Sequence, residues 1–294
     1  MDVYGIITER ISAALEKGTV PWHRPWASIE NAPKNAISKK AYRGINVWML
    51  AGRYESPWWA SFRQVKELGG YVRRDEKSTP VIWWNIDVVE PDGDNLDAKP
   101  SRRFTLRYYN VFNLEQCELP EKVAARFKPA ERPKVDAIEE CERIVAAMPN
   151  PPRIEHVEAR AFYTPSLDRV NMPKRDLFEK AEAYYSVLFH ELGHSTGHES
   201  RLARPTIMDL CPFGSTNYSK EELVAEMTAA FLCGTAGIEN TTVDLSAAYI
   251  ANWLAKLQDD RKMVVLAAAQ AQRAADYILD RKAAEETATE KEAA

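Results

Sequence analysis

The segment FHELGH, at residues 189–194, limits the possible folds of this chain more than any other feature of the sequence. Its two histidines are four residues apart, and residues at that spacing lie on one face of a helix. Both imidazoles can then bind the same metal ion, so the segment favours a helix. Glu191 lies about 100° around such a helix from His190, where it can reach a metal-bound water but not the metal itself. The pattern predicts a zinc site of the metallopeptidase type, with His190 and His194 as ligands and Glu191 as catalytic base.

A third ligand must come from another part of the chain. Ser200 stands where metzincins place theirs, which excludes that class. The segment EELVAEMTAAFL, at residues 221–232, offers Glu222 and Glu226 on one helical face. Its spacing resembles that of gluzincins, in which the first carboxylate binds zinc and the second orients a ligand histidine. We expect Glu222 to be the ligand, although a capping-box role for Glu222 would leave Glu226 to bind the metal. Tyr218, just before this helix, is a candidate for stabilising an oxyanion.

Charge and tryptophan are unevenly distributed along the 294 residues. Residues 1–128 hold 20 Lys and Arg against 16 Asp and Glu, whereas the remainder holds 19 against 27. Seven of the eight tryptophans precede residue 85. Because cores tend to subdivide at this chain length, the asymmetry predicts two domains with different partners. We place them at residues 1–128 and 129–283, followed by a polar tail at 284–294 that we expect to be disordered.

Hydrophobic periodicity predicts an α+β protein. The runs TPVIWWNIDVV and RFTLRYYNVFNL are expected to form a long-looped β-hairpin in the N-terminal domain. Two short strands are expected at Arg153–Glu158 and Arg160–Asn171. Capping-box patterns at Asp176–Glu179 and Ser219–Glu222 predict the starts of two further helices. Other helices are predicted over Val3–Lys17, Ile45–Arg53, Ser61–Leu68, Val135–Ala147 and, as one or two helices, Leu245–Leu279.

Aromatic and basic residues are repeatedly adjacent in the first 128 residues. Single-stranded nucleic acid is bound by such surfaces, since cations pair with phosphates and flat rings stack on bases. We find no zinc finger, RNP motif or recognition helix, so sequence-specific binding to duplex DNA is not expected. The alternative is that most of the tryptophans fill a small core. The candidate DNA contacts are Trp22, Arg24, Trp26, Lys39, Lys40, Arg43, Trp59, Arg63, Arg73 and Arg74.

The sequence also bears on the compartment in which the protein works. It contains no run of 18 or more uncharged apolar residues, so we expect no membrane span and no membrane partner. The N-terminus lacks the apolar core and cleavage site of a signal peptide. The four cysteines show no CxxC spacing. These features predict a cytoplasmic protein whose cysteines are reduced.

Six segments follow one another along the chain: GTVPWHRPW, YRGIN, WASFRQVKELGGYVRRDEKSTPVIWW, YYNVFNLEQC, HELGHSTGH and EELVAEMTAAFL. Their order resembles that of the ArdC-type antirestriction proteins of conjugative plasmids. The resemblance covers nearly the whole chain apart from the tail. At Asp75-Glu76-Lys77 the chain differs from the more basic turn expected of the family.

The resemblance implies a small N-terminal α/β-hairpin domain that binds single-stranded DNA and a C-terminal zincin-like metallopeptidase domain with one zinc ion, or another divalent ion, per chain. It also implies that the protein protects incoming plasmid DNA from host restriction. The partners would be single-stranded DNA and a protein substrate, for which a restriction component is one candidate. Two alternatives stay open: a DNA-binding protein whose zincin domain is only structural, and a general cytoplasmic protease that DNA merely localises.

Overall fold

The computed structural model describes residues 2–23, 32–89, 101–127, 136–208, 216–242 and 247–281. The helices in these ranges are α1 (Val3–Glu16), α2 (Ile45–Leu50), α3 (Phe62–Glu67), α4 (Glu121–Ala124), α5 (Ala137–Ala147), α6 (Ala181–Ser195), α7 (Pro205–Met208), α8 (Thr216–Ala236), α9 (Ala247–Asp259) and α10 (Met263–Ile278). The strands are β1 (Lys34–Asn35), β2 (Trp58–Ser61), β3 (Tyr71–Val72), β4 (Thr79–Val89), β5 (Ser101–Asn113), β6 (Cys117–Glu118), β7 (Arg153–Glu155), β8 (Phe162–Thr164) and β9 (Arg169–Asn171).

The predicted α+β class and the long hairpin are confirmed. Strands β4 and β5 pair antiparallel, with Thr79 opposite Val111 and Val89 opposite Ser101. They belong to a four-stranded sheet in the order β1-β2-β5-β4, while β3 pairs with β6, and β7, β9 and β8 form a third sheet. Residues 90–100 between these two strands, residues 128–135 at the predicted domain boundary and the predicted tail at 284–294 lie outside the described residues.

Both capping-box predictions are wrong. Residues Arg175–Leu177 form a turn of 3-10 helix, and α6 begins only at Ala181. Helix α8 begins at Thr216, so Ser219 already lies inside it. Glu222 is therefore in the second turn of a continuous helix, where its carboxylate cannot cap the helix start. The capping role that would have left the metal to Glu226 is thereby removed.

The largest hydrophobic core combines side chains from both predicted domains. It includes Ile7, Ile11 and Leu15 of α1 together with Leu192 of α6 and Leu223 of α8. Full burial of one such side chain is worth about 1.5–3 kcal/mol. A fragment ending at residue 128 would therefore expose the apolar face of α1. The domain boundary at residue 128 stays a prediction. Side chains from both sides of that boundary pack in the same core.

Two tryptophans that we predicted as DNA contacts are buried, and for these two residues the prediction is wrong. The Trp22 side chain is 0% exposed, and its Nε1 donates a hydrogen bond to Glu226 Oε2 at 3.0 Å. The Trp59 side chain is 1% exposed and packs in a small cluster with Val81 and Val111. A base cannot stack on a ring that solvent cannot reach. Trp22 and Trp59 are instead core residues, as the alternative interpretation of the tryptophans expects.

Among the described residues, no helix is both long and apolar enough to cross a membrane. The three cysteines in the described ranges, Cys117, Cys141 and Cys233, are buried free thiols. Burial raises the pKa of the Cys117 thiol to about 11, so this sulfur stays protonated and unreactive at neutral pH.

Trp22→Phe tests the structural role of this side chain. The change keeps an aromatic ring but removes the Nε1–H donor to the buried Glu226 carboxyl group. We expect the free energy of unfolding, measured by urea denaturation, to fall by about 1–3 kcal/mol. Tyr249→Phe removes the other donor to Glu226 and should have a similar effect. An unchanged midpoint for Trp22→Phe, together with weaker binding to DNA, would show instead that the ring is a DNA contact.

Candidate metal centre

Helix α6 carries the two histidines on a rigid support. Leu188, Phe189 and Leu192 are each 2% exposed or less, which fixes the rotation of the helix against the core. Gly193 lies where α6 packs tightly against Ala225 and Thr228 of α8. A Cβ atom at Gly193 would lie 3.2 Å from the Cα atom of Ala225, which is tighter than ordinary packing. A glycine at this position therefore allows α8 to come within reach of the histidines.

The side chains of His190, His194 and Glu222 converge on one point between α6 and α8. The two histidine Nε2 atoms are 3.1 Å apart, and each lies 3.6 Å from an oxygen of the Glu222 carboxylate. Ligand atoms at ~2.0–2.1 Å from a tetrahedral ion are separated from one another by about 3.3 Å. The two histidines meet different oxygens of Glu222, and one ligand atom from each residue lies within 4.8 Å of the others. The three residues therefore fit a single divalent ion with one coordination position left for water. This is the set of three ligands that the sequence predicted.

Glu191 and Tyr218 lie beside this cluster. The Glu191 side chain is buried, and its charge is among the causes that raise the pKa of His194. Tyr218 lies one turn before Glu222 in α8 and hydrogen-bonds to its carboxylate. Burial and the charge of Glu222 raise the pKa of Tyr218 to about 12, so the phenol keeps its proton at neutral pH. Both groups are therefore placed where a base and a hydrogen-bond donor would be useful.

Glu221 is the residue at this site that our reasoning from the sequence missed. Its Oε1 lies 3.4 Å from His194 Nδ1, while Arg204 donates to both of its oxygens, with Nε at 3.1 Å from Oε2. Thr206 also donates to this carboxylate. A carboxylate on Nδ1 holds the proton there and leaves Nε2 free to bind a metal. The feature of the sequence that could have identified Glu221 is its position next to Glu222. Two adjacent carboxylates on α8 can contact the Nδ1 and Nε2 atoms of one imidazole.

Glu226 neither joins the ligand cluster nor contacts a ligand histidine, the two roles expected for it from the sequence. Its carboxyl group accepts hydrogen bonds from Trp22 and Tyr249, on the side of α8 that faces α9 and the N-terminal segment. The group of potential ligands contains Glu222 and not Glu226. The residue that contacts a ligand histidine is Glu221. The expectation failed because the four-residue spacing fixes a helical face but not which neighbours that face meets.

The electrostatics of the cluster favour a bound cation. Burial would raise the pKa of Glu222, but its hydrogen bond to His190 and the charge of His194 lower it to about 2. Burial would lower the pKa of His194, but its hydrogen bond to Glu221 and the charges of Glu222 and Glu191 raise it to about 9. Arg204 already pairs with Glu221. The charges of Glu222 and Glu191 favour a positive charge at the histidines, which a metal ion can supply in place of the proton.

The basic candidates for DNA binding are spread over several surfaces. Arg43 forms an ion pair with Asp276 of α10. Arg73 lies 3.3 Å from Glu76 and 3.6 Å from Glu118, so acidic neighbours hold it. These contacts compete with phosphate for both guanidinium groups. We no longer place Arg43 or Arg73 among the principal contacts.

The other cations are more accessible. Lys40 is exposed, and the Lys39 Nζ atom lies over the rings of Phe127 and Trp58 at 4.0 and 4.6 Å. The Arg74 side chain is 95% exposed, and its Nε lies 3.8 Å from a carboxylate oxygen of Asp75. Arg63 is exposed and pairs with Glu67 of the same helix at 3.0 Å. Arg24 and Trp26 lie outside the described residues.

Comparison with known proteins assigns both parts of the chain to families. Residues 139–270 match a family described as zincin-like metallopeptidases. Residues 1–112 match the N-terminal domain of the anti-restriction factor ArdC. Two crystal structures of the antirestriction ArdC protein from plasmid R388, one metal-free and one with Mn(II) bound, have a TM-score of 0.73 to this structure. They are 34% and 36% identical to it, and each alignment covers 95% of this chain and at least 97% of the other. The chain belongs to the ArdC family.

Relatives of this ArdC-family protein are found in two contexts. The uncharacterized protein y4eC of Sinorhizobium fredii is 35% identical, over 94% of this chain and 91% of its own length. A DNA primase TraC of Escherichia coli is 36% identical over 93% of this chain. The chain spans 26% of the length of that primase. The ArdC-like unit therefore occurs both by itself and as a part of a much longer protein.

Three glutamine substitutions test the ligand assignment. Glu222→Gln should weaken metal binding most, because it removes the charged ligand. Glu221→Gln should weaken it by about 10- to 100-fold through loss of the contact with His194. Glu226→Gln is the matched control, since its amide oxygen can still accept from Trp22 and Tyr249. Metal content after dialysis against a graded chelator measures all three, with thermal unfolding as the check on fold. A greater loss in Glu226→Gln than in Glu222→Gln would reverse the assignment.

Metal binding should release a proton. At pH 7 the free protein holds a proton on His194, whose pKa is about 9, and the metal must displace it. The apparent affinity should therefore rise about tenfold per pH unit up to pH 9 and then level off. Calorimetric titration with Zn²⁺ in buffers of different ionisation enthalpy counts the protons. In Glu221→Gln the pKa of His194 loses its main upward cause, so fewer protons should be released. Equal release by both proteins would contradict the proton assignment.

Proposed function

We propose that this ArdC-family protein is a plasmid antirestriction factor that binds single-stranded DNA and carries a catalytically competent zinc peptidase centre. The observation that carries the second part is the convergence of His190, His194 and Glu222 beside the buried Glu191. A bound divalent ion would polarise a carbonyl group and lower the pKa of a water. Family membership supports the antirestriction role.

The chain's own residues can perform the remaining steps of peptide hydrolysis. Glu191 follows directly after one ligand histidine, in position to accept a proton from water and return it to the leaving amine. Tyr218 keeps its phenolic proton and can donate a hydrogen bond to a developing oxyanion. Glu221 and Arg204 hold His194 in one orientation. A merely structural metal site needs neither a base nor a donor beside it, and this favours the catalytic reading over the structural alternative.

Zinc is the metal that we propose. Two imidazole nitrogens and one carboxylate form the ligand set of many catalytic zinc sites. One solved structure of the R388 relative has Mn(II) bound, so zinc has to be distinguished from other divalent ions by measurement. Metal analysis of protein purified without added metal or chelator identifies the native ion. About one equivalent of zinc is expected.

Glu191→Gln tests whether the centre is catalytic. The amide keeps the size of the side chain and leaves both histidines unchanged, so metal content and fold should be preserved. It cannot accept a proton, so cleavage of protein substrates should fall by orders of magnitude. Proteomic comparison of cells expressing the wild type and Glu191→Gln would reveal the substrates. If no protein is cleaved more by the wild type than by the variant, the site is not a peptidase, and broad cleavage of unrelated unfolded proteins would favour a general protease.

The same variant separates two routes to protection. Plasmid transfer into restricting and non-restricting recipients should be measured for the wild type, Glu191→Gln and a deletion. If coating of the incoming strand protects it, Glu191→Gln should transfer as well as the wild type. We expect this outcome, because the basic N-terminal half offers a direct route to DNA. Failure of Glu191→Gln in the restricting host alone would show that protection depends on proteolysis.

A further inference from the structure

The exposed aromatic side chains lie in the most basic part of the molecule. The large hydrophobic residues that are exposed among the described residues include three aromatic ones, Phe62, Tyr71 and Tyr108, at 50%, 63% and 45% exposure. All three lie within residues 32–127. In the described parts of that range, 15 Lys and Arg stand against 8 Asp and Glu, a balance of +7. In the described part of the acidic C-terminal half, the exposed large hydrophobic residues are all aliphatic.

Two of these rings lie near the same face of the four-stranded sheet. Tyr108, Asn110 and Phe112 alternate along β5, so their side chains point to one side of the sheet. Phe112 stands opposite Ala60 of β2, and β2 leads directly into Phe62 at the start of α3. The ring centres of Phe62 and Phe112 are 6.5 Å apart. Tyr108 follows at about 13 Å along the strand from Phe112.

The surface is rigid and carries a cation. Phe112 packs against a cluster that includes Ala60 and Val65, so one end of the row is anchored while Phe62 is half exposed. The Lys66 Nζ atom lies 5.0 Å from the centre of the Phe62 ring. Asn110 is exposed between the rings and offers an amide for hydrogen bonding. Flat rings, an amide and an ammonium group, contributed by β5 and by α3, are the elements that unstacked bases and their phosphates require.

We propose that single-stranded DNA binds along this surface, which we call the aromatic face and define as Phe62, Lys66, Tyr108, Asn110 and Phe112. The proposal rests on the single-stranded DNA binding proposed above. It assigns the stacking role to Phe62 and Tyr108 in place of the buried Trp22 and Trp59. Phe62 and Tyr108 each stack on a base, Lys66 pairs with a phosphate, and Phe112 supports Phe62 from the side. Tyr71 lies on the separate β3-β6 sheet and is not part of the face.

Alanine substitutions in the full-length protein test the aromatic face. Fluorescence anisotropy with a labelled oligo-dT at fixed salt should show binding about 5- to 150-fold weaker for Phe62→Ala and for Tyr108→Ala. Phe62→Tyr keeps a ring and should bind like the wild type, whereas Phe62→Leu keeps only apolar bulk and should bind weakly. Tyr71→Ala is the matched control and should bind normally. Each variant is first compared with the wild type in thermal unfolding, and both rings are exposed enough that the fold should persist.

The salt dependence tests the phosphate contact. Lys66→Ala should reduce the slope of log K against log salt by about 0.7, the value for one contact to a single strand. An unchanged slope would remove Lys66 from the face. Normal binding by both Phe62→Ala and Tyr108→Ala, or an equal loss in Tyr71→Ala, would overturn the aromatic face while DNA binding itself stands. A wild-type protein that does not bind oligo-dT would overturn the proposed DNA binding and the face together.

Discussion

Helices α6 and α8 pack unusually closely at Gly193, and the metal centre depends on this contact. A side chain on Gly193 would press against Ala225 and Thr228 of α8. Without one, α8 comes near enough for the Glu222 carboxylate to reach both histidines of α6. The histidine pair belongs to one helix and needs only helical geometry. The third ligand, by contrast, exists only because two helices are held at a fixed separation.

The same packing fixes the orientation of the ligands. Arg204 is 5% exposed and donates to the Glu221 carboxylate, to the backbone oxygen of Gly193 and to Thr196. It thus ties α8 to the end of α6 through charged hydrogen bonds that water hardly reaches. Such a buried pair adds little net stability, since desolvation offsets the attraction. Its effect is to hold Glu221 on His194, so that one nitrogen of the imidazole always faces the metal position.

The N-terminal segment packs directly against α8, the helix that carries Glu222. Trp22 reaches across to Glu226, one turn after Glu222 on α8. Helix α1 buries Ile7 and Ile11 in the core that also contains Leu223. The proposed DNA surface and the metal centre therefore stand on one packed body. Substitutions at these contacts are expected to alter stability first, which is why the tests of DNA binding use side chains at the surface.

The sequence by itself determined the features that depend on local geometry. The four-residue spacing of His190 and His194 implies one helical face, and the alternating pattern of β4 and β5 implies a hairpin. Both were predicted and both are present. Glu222 was also named in advance, because it had a suitable spacing on a second helix. The starts of α6 and α8 were not predicted correctly, because α6 begins after its capping-box pattern and α8 begins before its own.

Only the tertiary structure decided which side chains meet. Glu226 and Glu221 are both carboxylates on α8, yet one faces Trp22 and the other faces His194. Trp22 and Trp59 have basic and aromatic neighbours in the sequence, as a residue that stacks on a base would have, but both side chains are buried. Periodicity specifies the faces of a helix or strand, and burial depends on what packs against each face from distant parts of the chain. For that reason the sequence located the chemistry on α6, while the folded chain alone selected the residue that orients His194 and the aromatic rings left open to solvent.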